Sequence, residues 1–299
     1  MKKCTILQVD AFTDTPYTGN PAGVVPDAKD LDDPEMQVIA REMNVSETVF
    51  VLPSKKSGAD LRMRWFTPTT EVPLCGHATI AGFHALAEEG MHGMDKEGTY
   101  YFQLDTASGL LPVEVQKSKV GIKVMFGLRL PKFERVSHYK LDLLRILNLS
   151  LSDFESRLAI VRSDFLYVPI RRLHTVWNMH PNFFTISNFL QGRNLQGLCV
   201  FTTETIDRDS YVFSRFFAPN VGINEDPVTG AANGPLGVYL HENGIVRGEN
   251  GILTFKAEQG DVIGRKGRIQ IELEVADSKP IGVRIGGTAV TVFRGEMTV

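Results

Sequence analysis

The sequence predicts an α+β fold of two similar lobes related by internal duplication, on three observations. The chain has 299 residues, and at about 150 residues per domain that length suits two domains. A segment beginning at Arg64 recurs, weakly but in register, from Arg215. Each copy reads as a strand, a loop and then a helix, and a repeat of half the chain means a duplicated domain rather than a solenoid.

The repeat is seen residue by residue. Arg64-Trp65-Phe66-Thr67-Pro68 matches Arg215-Phe216-Phe217-Ala218-Pro219 at a spacing of 151, and Cys75-Gly76 then falls on Thr229-Gly230 at 154. The register holds through Leu86/Leu240, Glu88/Glu242 and Gly90/Gly244. The second loop therefore carries three extra residues, and Asp226 is read as lying in them. Aromatic, β-favouring residues at 62–67 and 211–218 predict the strands. Helices are predicted at 77–89, with Ile80, His84 and Ala87 as one stripe, and at 231–243, with Leu236, Tyr239 and Leu240. Gly90 and Gly244 are their stops. Both helices lack charge through their first two turns, which suits burial inside a sheet or barrel.

Elsewhere, strands are expected at 5–12, 23–25, 47–52, 100–104, 121–126, 159–161, 197–201, 252–256, 268–275, 281–285 and 289–294, with a helix at 34–43. The pattern loosens over 127–140, so the lobes are placed at 1–127 with 286–299, and at 128–285.

Composition narrows the function. The 32 basic and 35 acidic residues give a net charge of −3, so the electrostatic drive for nucleic-acid binding is missing. No apolar run reaches the length of a membrane span. Three cysteines, Cys4, Cys75 and Cys199, are too few for a disulfide framework and suit a cytoplasmic location. The histidines show no metal-ligand spacing, and no glycine-rich dinucleotide or phosphate-loop motif occurs; no metal and no cofactor are expected.

A helix N-terminus offers unpaired backbone N–H groups and partial positive charge, a setting for carboxylates and phosphates. Two such termini, at Cys75-Gly76-His77 and Thr229-Gly230-Ala231, arise from the repeat. Gly76 and Gly230 would let a ligand approach the backbone closely.

The motifs GNPAGVV (19–25), NVSETVF (44–50), FTPTTEVPLCGHAT (66–79), EDPVTGAANGP (225–235) and GGTAVTVF (286–293) together resemble the phenazine-biosynthesis PhzF-like isomerase family. The resemblance implies a diaminopimelate epimerase-like fold, each lobe a barrel-like sheet around a central helix, with the active site in the cleft between lobes. It implies a cofactor-independent isomerase acting on a small unsaturated or amino-type carboxylic acid. With the composition, the expectation is a cytoplasmic protein without nucleic-acid or membrane partners that can form a homodimer. The resemblance assigns catalysis to Glu47, His77 and Asp226; substrate binding is expected of Ser46, of the Gly76 and Gly230 amides at the two helix starts, and of Ala231. An imidazole at the His77 position can donate or accept a hydrogen bond or pass a proton. Two departures qualify the match. Ala231 stands where the family often has serine. Cys75 occupies one thiol position of the related two-thiol racemases, but Thr229 stands at the other, and a hydroxyl is too weak an acid to replace a thiol. An epimerase, racemase or lyase on the same fold, and a non-catalytic ligand-binding protein, are the alternatives.

Overall fold

A computed structural model describes residues 2–299. The chain forms two compact units, one running through Gly127 and taking back Ile285–Val299, the other Leu128–Arg284.

The first unit contains strands β1 (Lys3–Ala11), β2 (Asn20–Val25), β3 (Glu47–Leu52), β4 (Leu61–Phe66), β5 (Glu71–Val72), β6 (Gly98–Thr106), β7 (Gly109–Ser118) and β8 (Gly121–Leu128), with helices α1 (Asp33–Met43) and α2 (Gly76–Glu88). β1 pairs antiparallel with β2, β2 parallel with β3, β3 antiparallel with β4, and β4 parallel with β6. β6, β7 and β8 form an antiparallel meander. The last strand, Lys279–Thr298, pairs with both β8 and β1. Among the described residues these eight strands close into a barrel, and β5 is a short arm on the end of β4.

α2 threads the barrel because its sequence leaves it nowhere else to go. Every side chain from His77 to Ala87 is buried, and a helix covered on all sides needs protein on all sides. Close approach is made by Gly82, where an added Cβ would lie 2.9 Å from Met63 Cε. Alternation along β3 then sets the direction of Glu47. Residues two apart share one face of a strand, and Val49 Cγ1 lies 3.4 Å from the Cβ position of Gly82 on α2. Glu47 shares that helix-facing side. Phe50, on the other side, packs with Met36, Ile39 and Ala40 of α1. Asp32 and Glu35 cap α1 reciprocally, closing two orphan N–H groups.

His84, in the predicted α2 stripe, is buried, and neither ring nitrogen has a hydrogen-bond partner among the described residues. Burial holds its pKa below the ordinary 6.5, so the ring is neutral when folded and takes a proton only on unfolding or in stronger acid. Its contribution is intact above about 6.5 and is lost as pH falls below that value toward its folded pKa. His84→Leu is expected to flatten the fall in melting temperature below pH 6.5 and to be neutral or stabilising at pH 8. A steeper acid loss in the variant would contradict this.

The second unit holds β9 (Glu134–Arg135), β10 (Val161–Arg162), β11 (Leu166–Pro169), β12 (Leu198–Thr202), β13 (Ser210–Ala218), β14 (Ile223–Asp226), β15 (Gly251–Gln259) and β16 (Gly267–Ala276), with α3 (Lys140–Ile146), α4 (Leu173–Trp177), α5 (Phe183–Gln191) and α6 (Gly230–Glu242). β11 runs parallel to β12, β12 antiparallel to β13, β13 parallel to β15, and β15 antiparallel to β16. That is the same order of pairings as β2, β3, β4, β6 and β7. α6, like α2, has 13 residues and is buried along almost its whole length. Leu143, Val176, Ile186, Phe189 and Leu190 of the other three helices pack with Val168, Val200, Phe213 and Phe217.

The sequence pattern expects strands at 281–285 and 289–294 with a break between. Instead, the last strand, β17, is continuous over Lys279–Thr298. Gly286 is small because a Cβ there would meet the Val124 carbonyl at 2.0 Å. It marks a close backbone crossing, not an end.

Candidate active site

Four of the residues expected at the site meet in the first unit. Asn44 ends α1 in the left-handed region, φ 51°, and the chain turns through Val45 and Ser46 into β3. This delivers Ser46 and Glu47 to the start of α2. His77 Nε2 lies 3.2 Å from Ser46 Oγ and 3.3 Å from Glu47 Oε2. The approach to Glu47 is within ion-pair distance but does not meet hydrogen-bond geometry, and Oε2 is buried with no hydrogen-bond partner. Glu47 is 9% exposed and His77 7%. A buried carboxylate oxygen without a donor is costly.

Cys75 is the N-cap of α2 and makes no side-chain cap. Its Sγ turns to His77, 3.3 Å from Nδ1 and 3.9 Å from Nε2. Gly76 starts the helix beside Phe126, whose Cζ would stand 3.3 Å from an added Cβ. Glu47, Cys75 and His77 thus present a carboxylate, a thiol and an imidazole with their ligand-type atoms all within 4.8 Å of one another. Local spacing in the sequence does not reveal this, because Glu47 comes from a different element.

The second unit places Asp226, Gly230 and Ala231 around the start of α6. Asp226 ends β14, and its Oδ2 accepts from Thr229 Oγ1 at 2.5 Å. Gln259 Nε2 donates to the Asp226 carbonyl and to Thr229 Oγ1, at 2.8 and 3.0 Å. Its Oε1 accepts from the Thr229 amide and from Asn233 Nδ2, at 3.1 and 2.8 Å. Sequence reasoning singled out neither Gln259 nor Asn233: Asn233 lies inside the 225–235 motif without being assigned a contact, and Gln259 comes from a separate strand, β15. Ala231 is exposed and, with Pro235, lines a cavity of about 400 Å³ also bounded by Arg129, Lys132, Arg162 and Phe165.

The three extra residues do not contain Asp226. Val72 pairs with Trp65 across β4 and β5, and Asp226 pairs with Phe216 across β13 and β14. Asp226 is therefore the counterpart of Val72, and the added length lies earlier, at the turn Pro219–Gly222. The arginines that open the repeat make matching contacts. Arg64 grips Glu71 through Nε and Nη2, both at 2.7 Å, and Arg215 grips Glu225 likewise, both at 2.8 Å. Each guanidinium also sits 5.1 Å from the ring of the phenylalanine two residues on, Phe66 or Phe217.

Residues 9–295 match the family model described as phenazine biosynthesis-like protein. An uncharacterized isomerase of Clostridium acetobutylicum is 40% identical over 305 residues, covering 100% of this chain and 99% of its own. The crystal structure of a Bacillus anthracis phenazine biosynthesis protein of the PhzF family covers 100% of both chains with TM-score 0.89 and 31% identity. A hydroxyproline epimerase of Agrobacterium vitis, 15% identical, shares the fold with TM-score 0.65 over 99% of this chain and 91% of its own. The barrel about α2 and the motifs along both units are thus those of a known group, and this chain is an isomerase belonging to the phenazine biosynthesis-like family.

Proposed function

We propose that the protein moves a proton on a small unsaturated or amino-type carboxylic acid without a cofactor, with Glu47 as general acid and base. The observation that carries this reading is Glu47 Oε2, buried, without a hydrogen bond and 3.3 Å from His77 Nε2. Glu47 takes a proton from a substrate carbon and returns it elsewhere on the conjugated system. His77, held by Ser46, orients that carboxylate or passes the proton on. The backbone amides of Gly76 and Gly230, at helix starts with no side-chain cap, are assigned to the substrate carboxylate and to developing negative charge. Asp226, fixed by Thr229, is assigned to a polar substituent of the substrate. Ala231 is assigned to its binding surface.

The same reading takes the two units as products of a duplication. It is supported by the shared order of parallel and antiparallel pairings, by two 13-residue buried helices and by the matching arginine–glutamate grips.

Small carboxylic acids incubated with the enzyme in deuterated water test the reaction class. Catalysed C–H exchange is expected for at least one, and binding without exchange throughout would overturn it.

A second reading, thiol-dependent epimerisation, has one observation in its favour: Cys75 Sγ lies 3.3 Å from His77 Nδ1. Against it, the partner position is Thr229, whose hydroxyl is spent on Asp226. Cys75→Ala is therefore expected to keep most exchange activity and to lose about 1 kcal/mol of stability from a small packing defect. Activity lost as fully as in Glu47→Gln, in a folded variant, would favour the thiol mechanism.

A further inference from the structure

We propose that Glu47, Cys75 and His77 form a site for one zinc-class divalent cation, and that its binding shuts off proton transfer. The binding claim stands on the cluster's geometry; only the inhibition rests on the role given to Glu47 above.

The donor set is the first argument. Thiolate, imidazole and carboxylate are the three side-chain ligands zinc takes, at about 2.3, 2.0–2.1 and 2.0–2.2 Å. A thiolate among them selects soft or borderline ions such as zinc over magnesium or calcium. With bonds of that length, a tetrahedral ion sets its nitrogen and oxygen ligands about 3.3–3.5 Å apart and its sulfur about 3.5–3.7 Å from either. His77 Nε2 stands 3.3 Å from Glu47 Oε2 and 3.9 Å from Cys75 Sγ, and the donor atoms all lie within 4.8 Å. Cys75 Sγ rests nearer Nδ1, at 3.3 Å, and Nε2 contacts Ser46 Oγ at 3.2 Å, so metal binding at Nε2 requires the thiol to rotate toward that nitrogen and Ser46 to give up its contact.

Charge and satisfaction argue the same way. Binding displaces the thiol proton to solvent, so one thiolate and one carboxylate neutralise a divalent ion inside a largely buried site. Glu47 Oε2, unsatisfied among the described residues, gains a partner. Three protein ligands leave a fourth position for water, the arrangement of an open rather than a closed site. With Oε2 on the metal, the cation's charge makes the carboxylate a much weaker base, and the ion occupies the space from which Glu47 would reach a substrate carbon. Cys75 then has a use that proton transfer does not give it: it makes the site responsive to metal.

Titration of chelator-stripped protein with Co²⁺ under reducing, anaerobic conditions tests the site without reference to turnover. Expected are the visible bands of tetrahedral cobalt and a thiolate-to-cobalt charge-transfer band, saturating at one equivalent and displaced by Zn²⁺. The charge-transfer band should vanish in Cys75→Ala, which retains the buried Cys4 and Cys199 as internal controls. Loss of an outer partner alone costs roughly 10–100-fold in metal affinity, so Cys75→Ala should bind at least that much more weakly. His77→Gln should do the same, and Cys75→Ser supplies a variant with less change in volume. In the exchange assay, Zn²⁺ should silence the wild type, a chelator should restore it, and Cys75→Ala should stay active at the same Zn²⁺ concentration. Absence of a thiolate band, or an unchanged band in Cys75→Ala, overturns the site. Cobalt binding as expected with no exchange on any acid leaves the site standing and sinks the isomerase mechanism instead. Exchange in which wild type and Cys75→Ala are equally sensitive to Zn²⁺ overturns inhibition through this site and leaves the isomerase mechanism standing.

Discussion

Glu47→Gln is expected to lower catalysed C–H exchange by about 10²–10⁴-fold, the span that a positioned general base contributes. The amide keeps the carboxylate's shape and can donate to His77 or Ser46, so folding and substrate affinity should persist. The loss should therefore fall on kcat far more than on KM. The reason is local: Glu47 faces α2 from the start of β3, nearly buried, with Oε2 unbonded. A Glu47→Gln enzyme within a few fold of wild type would remove that residue from the chemistry. Comparing it with Cys75→Ala separates carboxylate from thiol on one substrate.

Arg215→Ala is expected to cost about 3–5 kcal/mol of stability, because removing one partner of a buried ion pair strands the other. Arg215 and Glu225 have side chains only 4% and 9% exposed, and Arg215 Nη1 also donates to the carbonyls of Val176 and Met179 at 3.0 and 2.7 Å. Its counterpart, Arg64, makes the same grip nearer solvent, with Glu71 39% and Asp33 72% exposed. Arg64→Ala should accordingly cost only about 1 kcal/mol. Denaturant midpoints of the two variants measure the difference. Equal losses would mean that burial of the second pair is not what gives it its weight.

The sequence carried much of this architecture where local pattern and tertiary environment agree. Glu47–Leu52 reads as a strand from its β-branched and aromatic run, and the strand has those bounds. The repeated helices were legible because their glycine stops and uncharged turns recur in register. Strand β11 and helix α5 were not anticipated. Leu-Tyr-Val-Pro is too short to show a period, and Phe183–Gln191 mixes aromatic, polar and β-branched residues. The unbroken β17 was hidden by Gly286, since a glycine required by the Val124 carbonyl looks in sequence like a turn. At the site, Glu47 and His77 could be named from motifs. Their approach to 3.3 Å could not, because it depends on β3 lining a barrel with α2 inside. The same holds for Gln259, which secures Asp226 and Thr229 from 33 and 30 residues away along the chain.

The central claim is that a single buried carboxylate carries the proton from one carbon to another. A substrate identified by the exchange screen, labelled with deuterium at the carbon that loses hydrogen and turned over in ordinary water, tests it most directly. Because Glu47 is shielded from solvent, a measurable fraction of the product should carry deuterium at the receiving carbon, and Glu47→Gln should form almost no such product. Turnover with no internal transfer of label, undiminished in Glu47→Gln, would contradict the account.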